Sequence, residues 1–152
     1  MKRYYLAYGS NLNVEQMFYR CPTAKPVGTA LIKDYELLFR GSKTGSYLTI
    51  GEKKGAVVPV AVWEVQPSDE YKLDCYEGYP RFYYKKDMEI AYKLIDNGKY
   101  KNVDAFVYIM HEDRPIGVPS SFYMEVCLEG YESFGFDDKY LWEAYQKCKT
   151  RA

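Results

Sequence analysis

The chain is poor in the residues that carry most recognisable chemistry. Its 152 residues include one histidine, His111, and four cysteines, Cys21, Cys75, Cys127 and Cys148. The cysteines are widely scattered, form no C-x-x-C pair and have no adjacent histidine, so zinc-ligand spacing is missing. A Ser–His–Asp triad or a Cys–His pair would have to use His111, and Ser10 lacks the Gly-x-Ser-x-Gly frame of a nucleophile elbow. No metal and no organic cofactor is expected. Excess charge is lacking too. The 21 Lys and Arg residues balance 21 Asp and Glu residues, which removes the main electrostatic argument for nucleic acid. No apolar run reaches the roughly 18 residues of a membrane-spanning helix. The short apolar stretch after Met1-Lys2-Arg3 breaks at Gly9, which does not read as a signal peptide. A cytoplasmic protein with free thiols is therefore expected, with no membrane partner. With no Ser/Gly linker, repeat or low-complexity stretch, residues 1–152 read as one domain, large enough to bury a core without staples. Oligomeric state is not legible.

Tyrosine is what the chain has in excess, at 18 residues. Tyrosine suits strands and half-buried faces. It also suits a cleft walled by phenols, dry enough to shift a carboxylate and polar enough to orient a ligand. Stacking on single-stranded bases would need a basic groove beside the rings, which the zero net charge disfavours.

Hydrophobic patterning predicts strands at 3–8, 27–40, 46–50, 57–65, 82–95 and 103–110. Pro59 places its run at an edge or at a strand's first residues. Asp96-Asn97-Gly98-Lys99 is a hairpin signal. Helices are predicted at 13–20, 68–77, 120–132 and 137–149. Ser68 is the expected N-cap of the second and Gly78 its C-terminal stop; Asp137 is the expected cap of the last. Strands that are contiguous or hairpin-linked, rather than alternating with helices, predict an α+β fold with a largely antiparallel, barrel-like sheet flanked by helices.

Two segments stand out chemically. Tyr8-Gly9-Ser10-Asn11-Leu12 lies where a strand breaks and a helix begins. Such a junction leaves backbone N–H groups unpaired and able to hold an anion or a polarised carbonyl oxygen. A plain turn accounts for it equally, with Asn11 or Asn13 as N-cap and Gly9 relieving strain. The second segment holds Glu77, a carboxylate in the last turn of a helix, where the helix dipole disfavours it by a few tenths to about 1 kcal/mol. Leu73, Tyr76 and Glu77 stand at i, i+3 and i+4 and can share a face. If Leu73 and Tyr76 face the core, Glu77 borders it, and aromatic surroundings would raise its pKa toward the range useful for moving protons. Glu70, Asp74 and Glu77 equally describe a solvated acidic face.

The N-terminal Y-G-S-N-L at 8–12, the Y-E-G-Y-P at 76–80 and the P-S-x-x-Y at 119–123, followed seven residues on by Gly130, occur in one order. In that order they resemble the gamma-glutamylcyclotransferase-like family, which includes the AIG2-like proteins and gamma-glutamylamine cyclotransferases. The resemblance runs from about residue 4 to about residue 145. It implies a small mixed β-barrel flanked by helices. It implies an enzyme that closes a gamma-glutamyl compound into 5-oxoproline, releasing an amine or amino acid. It implies Glu77 as general acid/base, with Tyr8, Gly9, Ser10, Asn11, Leu12 and Tyr123 contacting the substrate and Ser10 a ligand contact rather than a nucleophile. A non-catalytic binding protein that keeps the pocket is the alternative. The loops 41–46 and 112–117 are expected around the leaving group. Arg81 and Arg114 could meet a substrate carboxylate, although surface positions explain them as well. Leu6, Met17, Leu73 and Leu141 read as packing only.

Overall fold

A computed structural model of the chain describes residues 2–42 and 44–151. Met1, Lys43 and Ala152, the second of them in a predicted loop, lie outside the described residues. Five strands close into a barrel: β1 (Arg3–Ala7), β2 (Lys25–Ser42), β3 (Gly45–Val65), β4 (Tyr83–Leu94) and β5 (Tyr100–Met110). Their order around the barrel is β1-β3-β2-β4-β5. Every neighbouring pair is antiparallel except β1 with β5, which closes the barrel in parallel. Four helices flank it: α1 (Val14–Arg20), α2 (Pro67–Glu77), α3 (Ser121–Phe134) and α4 (Lys139–Arg151), with a 3-10 turn at Ser10–Leu12 between β1 and α1. This is the α+β, largely antiparallel barrel that the patterning predicts.

Three local readings change. The predicted strands 46–50 and 57–65 are one strand, β3, hairpin-paired along β2. The polar residues Glu52–Gly55 do not break it, because a bulge absorbs them. Asp34 takes a positive φ of 64°, and its side chain accepts the Gly55 N–H at 2.9 Å across the register shift between Lys33 and Tyr35. Pro59 pairs with Leu31 of β2, while β1 reaches only as far as Ala61. It sits mid-strand, but where one edge of β3 is free, so its missing N–H breaks no ladder. Helix α2 is capped by Gln66 rather than Ser68. Pro67 occupies the first helical position, and the Asp69 carboxylate reaches back to the Gln66 N–H at 2.9 Å.

The other end signals behave as read. Gly78 ends α2 at φ 64°, a conformation that glycine adopts without steric cost, and Tyr79 N–H returns to Asp74 O at 2.9 Å. Asn13 caps α1 by accepting Gln16 N–H at 3.1 Å. Asp137 accepts Lys139 N–H at 2.9 Å at the start of α4. The core fills the barrel and the seam beneath the helices. Leu6, Met17, Leu73 and Leu141 are all fully buried in it. No helix among the described residues is long and apolar enough to cross a membrane.

Helix α2 matters most, because it carries Glu77, and its first turn is fixed by one buried acid. Asp69 is 1% exposed, and both its oxygens lie 2.7 Å from the Thr23 hydroxyl. Replacing it leaves the Gln66 N–H and the Thr23 hydroxyl without their acceptor. Asp69→Ala is expected to lower unfolding stability by about 1–3 kcal/mol, read as a shift in urea midpoint at unchanged slope.

Candidate active site

One cleft, with a volume of about 470 Å³, opens where the 3-10 turn, the end of α2 and the barrel mouth meet. It brings together residues distant in sequence. Tyr8, Gly9, Ser10 and Asn11 come from the β1–α1 junction, Glu77 from the last turn of α2, Tyr83 from β4, Tyr108 from β5 and Tyr123 from α3. Leu12, expected among the ligand contacts, does not line it. It is completely buried, because the junction docks on α3, where Asn13 Nδ2 donates to Val126 O at 3.3 Å and to Glu129 at 3.0 Å. Leu12 is packing that positions the turn.

Gly9 has a negative φ of −129° and needs no left-handed freedom. Its role is close approach. A Cβ there would stand 3.3 Å from the Tyr123 hydroxyl and 3.4 Å from Leu48 Cβ. The turn closes through Leu12 N–H to Gly9 O and Asn13 N–H to Ser10 O, both at 3.0 Å. That leaves the N–H groups of Ser10 and Asn11 without an acceptor among the described residues, as the first turn of any helix must. The Ser10 hydroxyl sits 3.0 Å from the Tyr76 hydroxyl. His111, the one histidine, lies on another surface against Pro80 O at 2.8 Å, so nothing there activates Ser10 as a nucleophile.

Glu77 does not belong to a solvated acidic face. Glu70 and Asp74 are themselves half-buried and pair with Lys85 of β4 at 2.7 and 2.9 Å. Tyr76, predicted on the core face, is 46% exposed, so Leu73 and Glu77, at i and i+4, are the inward pair. Burial pushes the Glu77 carboxyl up to about 8, with the Arg20 guanidinium pulling the other way. Its recorded hydrogen bond is long, 3.4 Å from Asn11 Nδ2 to Oε1.

The surrounding phenols are committed elsewhere. Tyr8 donates to Tyr108 O at 2.7 Å, Tyr83 to Leu48 O at 2.7 Å and Tyr108 to Asp74 at 2.6 Å. Tyr123 accepts from Leu48 N–H at 3.1 Å, and Tyr5 accepts from Asn11 at 2.8 Å. Burial raises the pKa of all five. Among the carboxyl and phenol groups at the cleft, Glu77 is therefore the one shifted into the near-neutral range.

One further expectation is corrected, and the surface reading of the two arginines holds. Of the loops predicted around the cleft, 41–46 contributes Ser42 and Thr44, whereas 112–117 does not reach it. Arg81 lines a separate shallow surface, and the Arg114 guanidinium covers the outer Phe82 ring at 4.8 Å. Cys21, Cys127 and Cys148 are buried, but Cys75 is exposed at the cleft rim, and all four are free. No cluster of three or more His, Cys, Asp or Glu with metal-binding geometry occurs among the described residues. Arg20 and Tyr5 carry no signal in sequence. A cation in the last turn of a helix is what the dipole favours anyway, and one tyrosine among many has no mark.

The family model for gamma-glutamyl cyclotransferase, AIG2-like, matches residues 5–125, which takes in the 3-10 turn, Glu77 and Tyr123. The chain belongs to that family. A human gamma-glutamylcyclotransferase is 29% identical over 144 residues, covering 90% of this chain and 73% of the relative. A solved gamma-glutamyl cyclotransferase superposes with a TM-score of 0.75 at 26% identity, covering 100% of this chain and 89% of its own. YkqA from Bacillus subtilis shares the fold at a TM-score of 0.74 and 18% identity, over 99% of this chain and 55% of its own. The chain is thus a member of a family of gamma-glutamyl cyclotransferase enzymes, built on their barrel.

The raised carboxyl ties stability of this family member to pH. Unfolded, Glu77 ionises near its ordinary 4.5; folded, near 8. Between those values the native state holds a proton that the unfolded chain releases, so stability falls as pH rises and levels off above about 8. Glu77→Gln removes that dependence. Urea unfolding is expected to show the variant gaining on the wild type between pH 5 and 9, by on the order of a few kcal/mol.

Proposed function

We propose that the protein cyclises a gamma-glutamyl amine or gamma-glutamyl amino acid to 5-oxoproline, with Glu77 as the single proton carrier. The substrate's α-amine attacks its own γ-carbonyl. A carbon–nitrogen bond forms to close a five-membered ring, and the bond to the leaving nitrogen breaks. Two protons leave the α-nitrogen, one from the ammonium before attack and one as the ring closes, and Glu77 relays each in turn to the departing nitrogen, which leaves as an ammonium. The observation that carries this reading is the half-buried Glu77 carboxylate, set among phenols at the cleft where desolvation pushes it up to about 8. A base with that pKa can accept an ammonium proton and give it back to an amine near neutrality.

The N–H groups of Ser10 and Asn11 are the donors assigned to the developing oxyanion. Such a donor is worth about 3–4 kcal/mol when it is aimed before the reaction begins. Tyr8, Gly9, the Ser10 hydroxyl and Tyr123 shape the glutamyl side. Holding the chain folded for attack supplies several kcal/mol more, within the roughly 7–11 kcal/mol that full preorganisation allows. Ser42 and Thr44 border the leaving-group side. Proton transfer and dipoles complete the reaction with groups of this chain and the substrate alone.

The test is 5-oxoproline release across gamma-glutamyl amino acids and gamma-glutamyl amines. Glu77→Gln is expected to keep the fold and lose turnover by about 10²–10⁴-fold. For the wild type, kcat/KM should rise with pH through an acid limb near 8 once the substrate's own ammonium is accounted for. Near wild-type turnover in Glu77→Gln refutes the assignment.

A further inference from the structure

Arg20 ends α1, half-buried, against Tyr76 and Asn11, which line the cleft. Three contacts fix it. Its guanidinium lies over the Tyr76 ring, 3.5 Å from the centroid. One nitrogen donates to Asn11 Oδ1 in a short hydrogen bond, and the other donates to Gln16 Oε1 at 3.4 Å. Asn11 is 2% exposed, and its amide can be oriented only one way while Arg20 occupies the oxygen. Its Nδ2 must then face the other direction, toward the Tyr5 hydroxyl at 2.8 Å and Glu77 Oε1 at 3.4 Å.

We infer that Arg20 is a positioning residue for Glu77, locking the Asn11 amide so that its N–H bonds face the carboxylate and clamping the 3-10 turn to the last turn of α2. The role rests on the reading of Glu77 as proton carrier. Three elements meet at this one side chain. α1 supplies it, the turn supplies Asn11, and α2 supplies the Tyr76 face, whose hydroxyl in turn reaches Ser10. A planar guanidinium can donate in its plane and stack on its face at once, which an ammonium cannot.

Arg20 is also the charged group set against the desolvation of Glu77. The other titratable groups facing that carboxylate are phenols. Tyr5 comes from β1, Tyr8 from the residue after it, Tyr83 from β4, Tyr108 from β5 and Tyr123 from α3. Asp74, on the same helix, is neutralised by Lys85. With the phenols neutral, the cation's charge reaches Glu77 with little competition, and it favours the deprotonated form that must receive the substrate's proton.

The test titrates the Glu77 carboxyl by carbon-13 NMR, with Glu77→Gln to assign the signal, in the wild type, Arg20→Met and Arg20→Lys. Turnover against pH is measured on the same proteins. Arg20→Met is expected to raise the Glu77 pKa by about one unit or more. Its acid limb should move by the same amount, and kcat/KM near pH 7 should fall about tenfold or more, chiefly in kcat. Arg20→Lys keeps the charge but not the fork. It is expected to hold the pKa within about half a unit while kcat/KM still falls several-fold. A Glu77 pKa unchanged in folded Arg20→Met overturns the proposal, as does wild-type kcat/KM in Arg20→Lys. Should the wild type release no 5-oxoproline from any substrate, the functional reading fails, while the titration still decides whether Arg20 governs Glu77.

Discussion

Partial withdrawal of the Glu77 carboxylate from water, among the rings of the cleft, raises its pKa to about 8 and sets the demands that the rest of the cleft meets. A carboxylate in full contact with water would stay ionised near neutrality and, in the proposed reaction, release no proton to a leaving amine. One sealed in hydrocarbon would stay protonated and accept none. The cleft lies between these limits. Phenol rings exclude water, yet none of their hydroxyls donates to Glu77: Tyr8 is bound to Tyr108 O and Tyr83 to Leu48 O, both at 2.7 Å, and Tyr5 accepts from Asn11. The rings lower the local dielectric without supplying hydrogen bonds that would return the carboxyl to its ordinary value.

The barrel exists, in functional terms, to bring these phenols to one mouth. Tyr83 and Tyr108 stand on β4 and β5, antiparallel neighbours, while Tyr8 follows β1, which joins β5 in parallel to close the sheet. The helices add what strands cannot. Helix α2 ends at Gly78, so its last turn delivers Glu77 into the opening, and the cost of an acid at that helix end is accepted for position. Its opposite end is held by Asp69, and Glu70 and Asp74 by Lys85. Helix α3 receives the Tyr8–Leu12 junction through Asn13, and the first N–H groups of the turn are left without an acceptor among the described residues.

Much of this is readable from the chain alone, and the reasons differ by residue. Strand alternation, the Asn97-Gly98 hairpin and the Gly78 stop are local signals, and they locate the barrel strands and helix ends. The exception is β3, whose charged middle resembles a loop until the Asp34–Gly55 bulge in the facing strand accounts for it. Glu77 is marked by its misfit with the helix dipole, but the direction of Tyr76 is not. A helical face is ambiguous within one turn, and only packing against the barrel makes Leu73 and Glu77 the inward pair. Leu12 shares the same limit. It stands in a motif expected from the sequence to contact ligand, but α3 claims it. Arg20 is invisible beforehand because its role depends on the orientation of the Asn11 amide, nine residues earlier in the chain.

The central claim is that the Tyr8–Leu12 junction and Glu77 form one site around a single substrate. It is tested most directly by a crystal structure of Glu77→Gln soaked with an unreacted gamma-glutamyl amine. The expected result places the substrate's α-nitrogen within hydrogen-bond reach of the residue-77 side chain and its γ-carbonyl oxygen on the N–H groups of Ser10 and Asn11. A ligand bound in the cleft with its α-nitrogen turned away from residue 77, or its γ-carbonyl turned away from the junction, would contradict it.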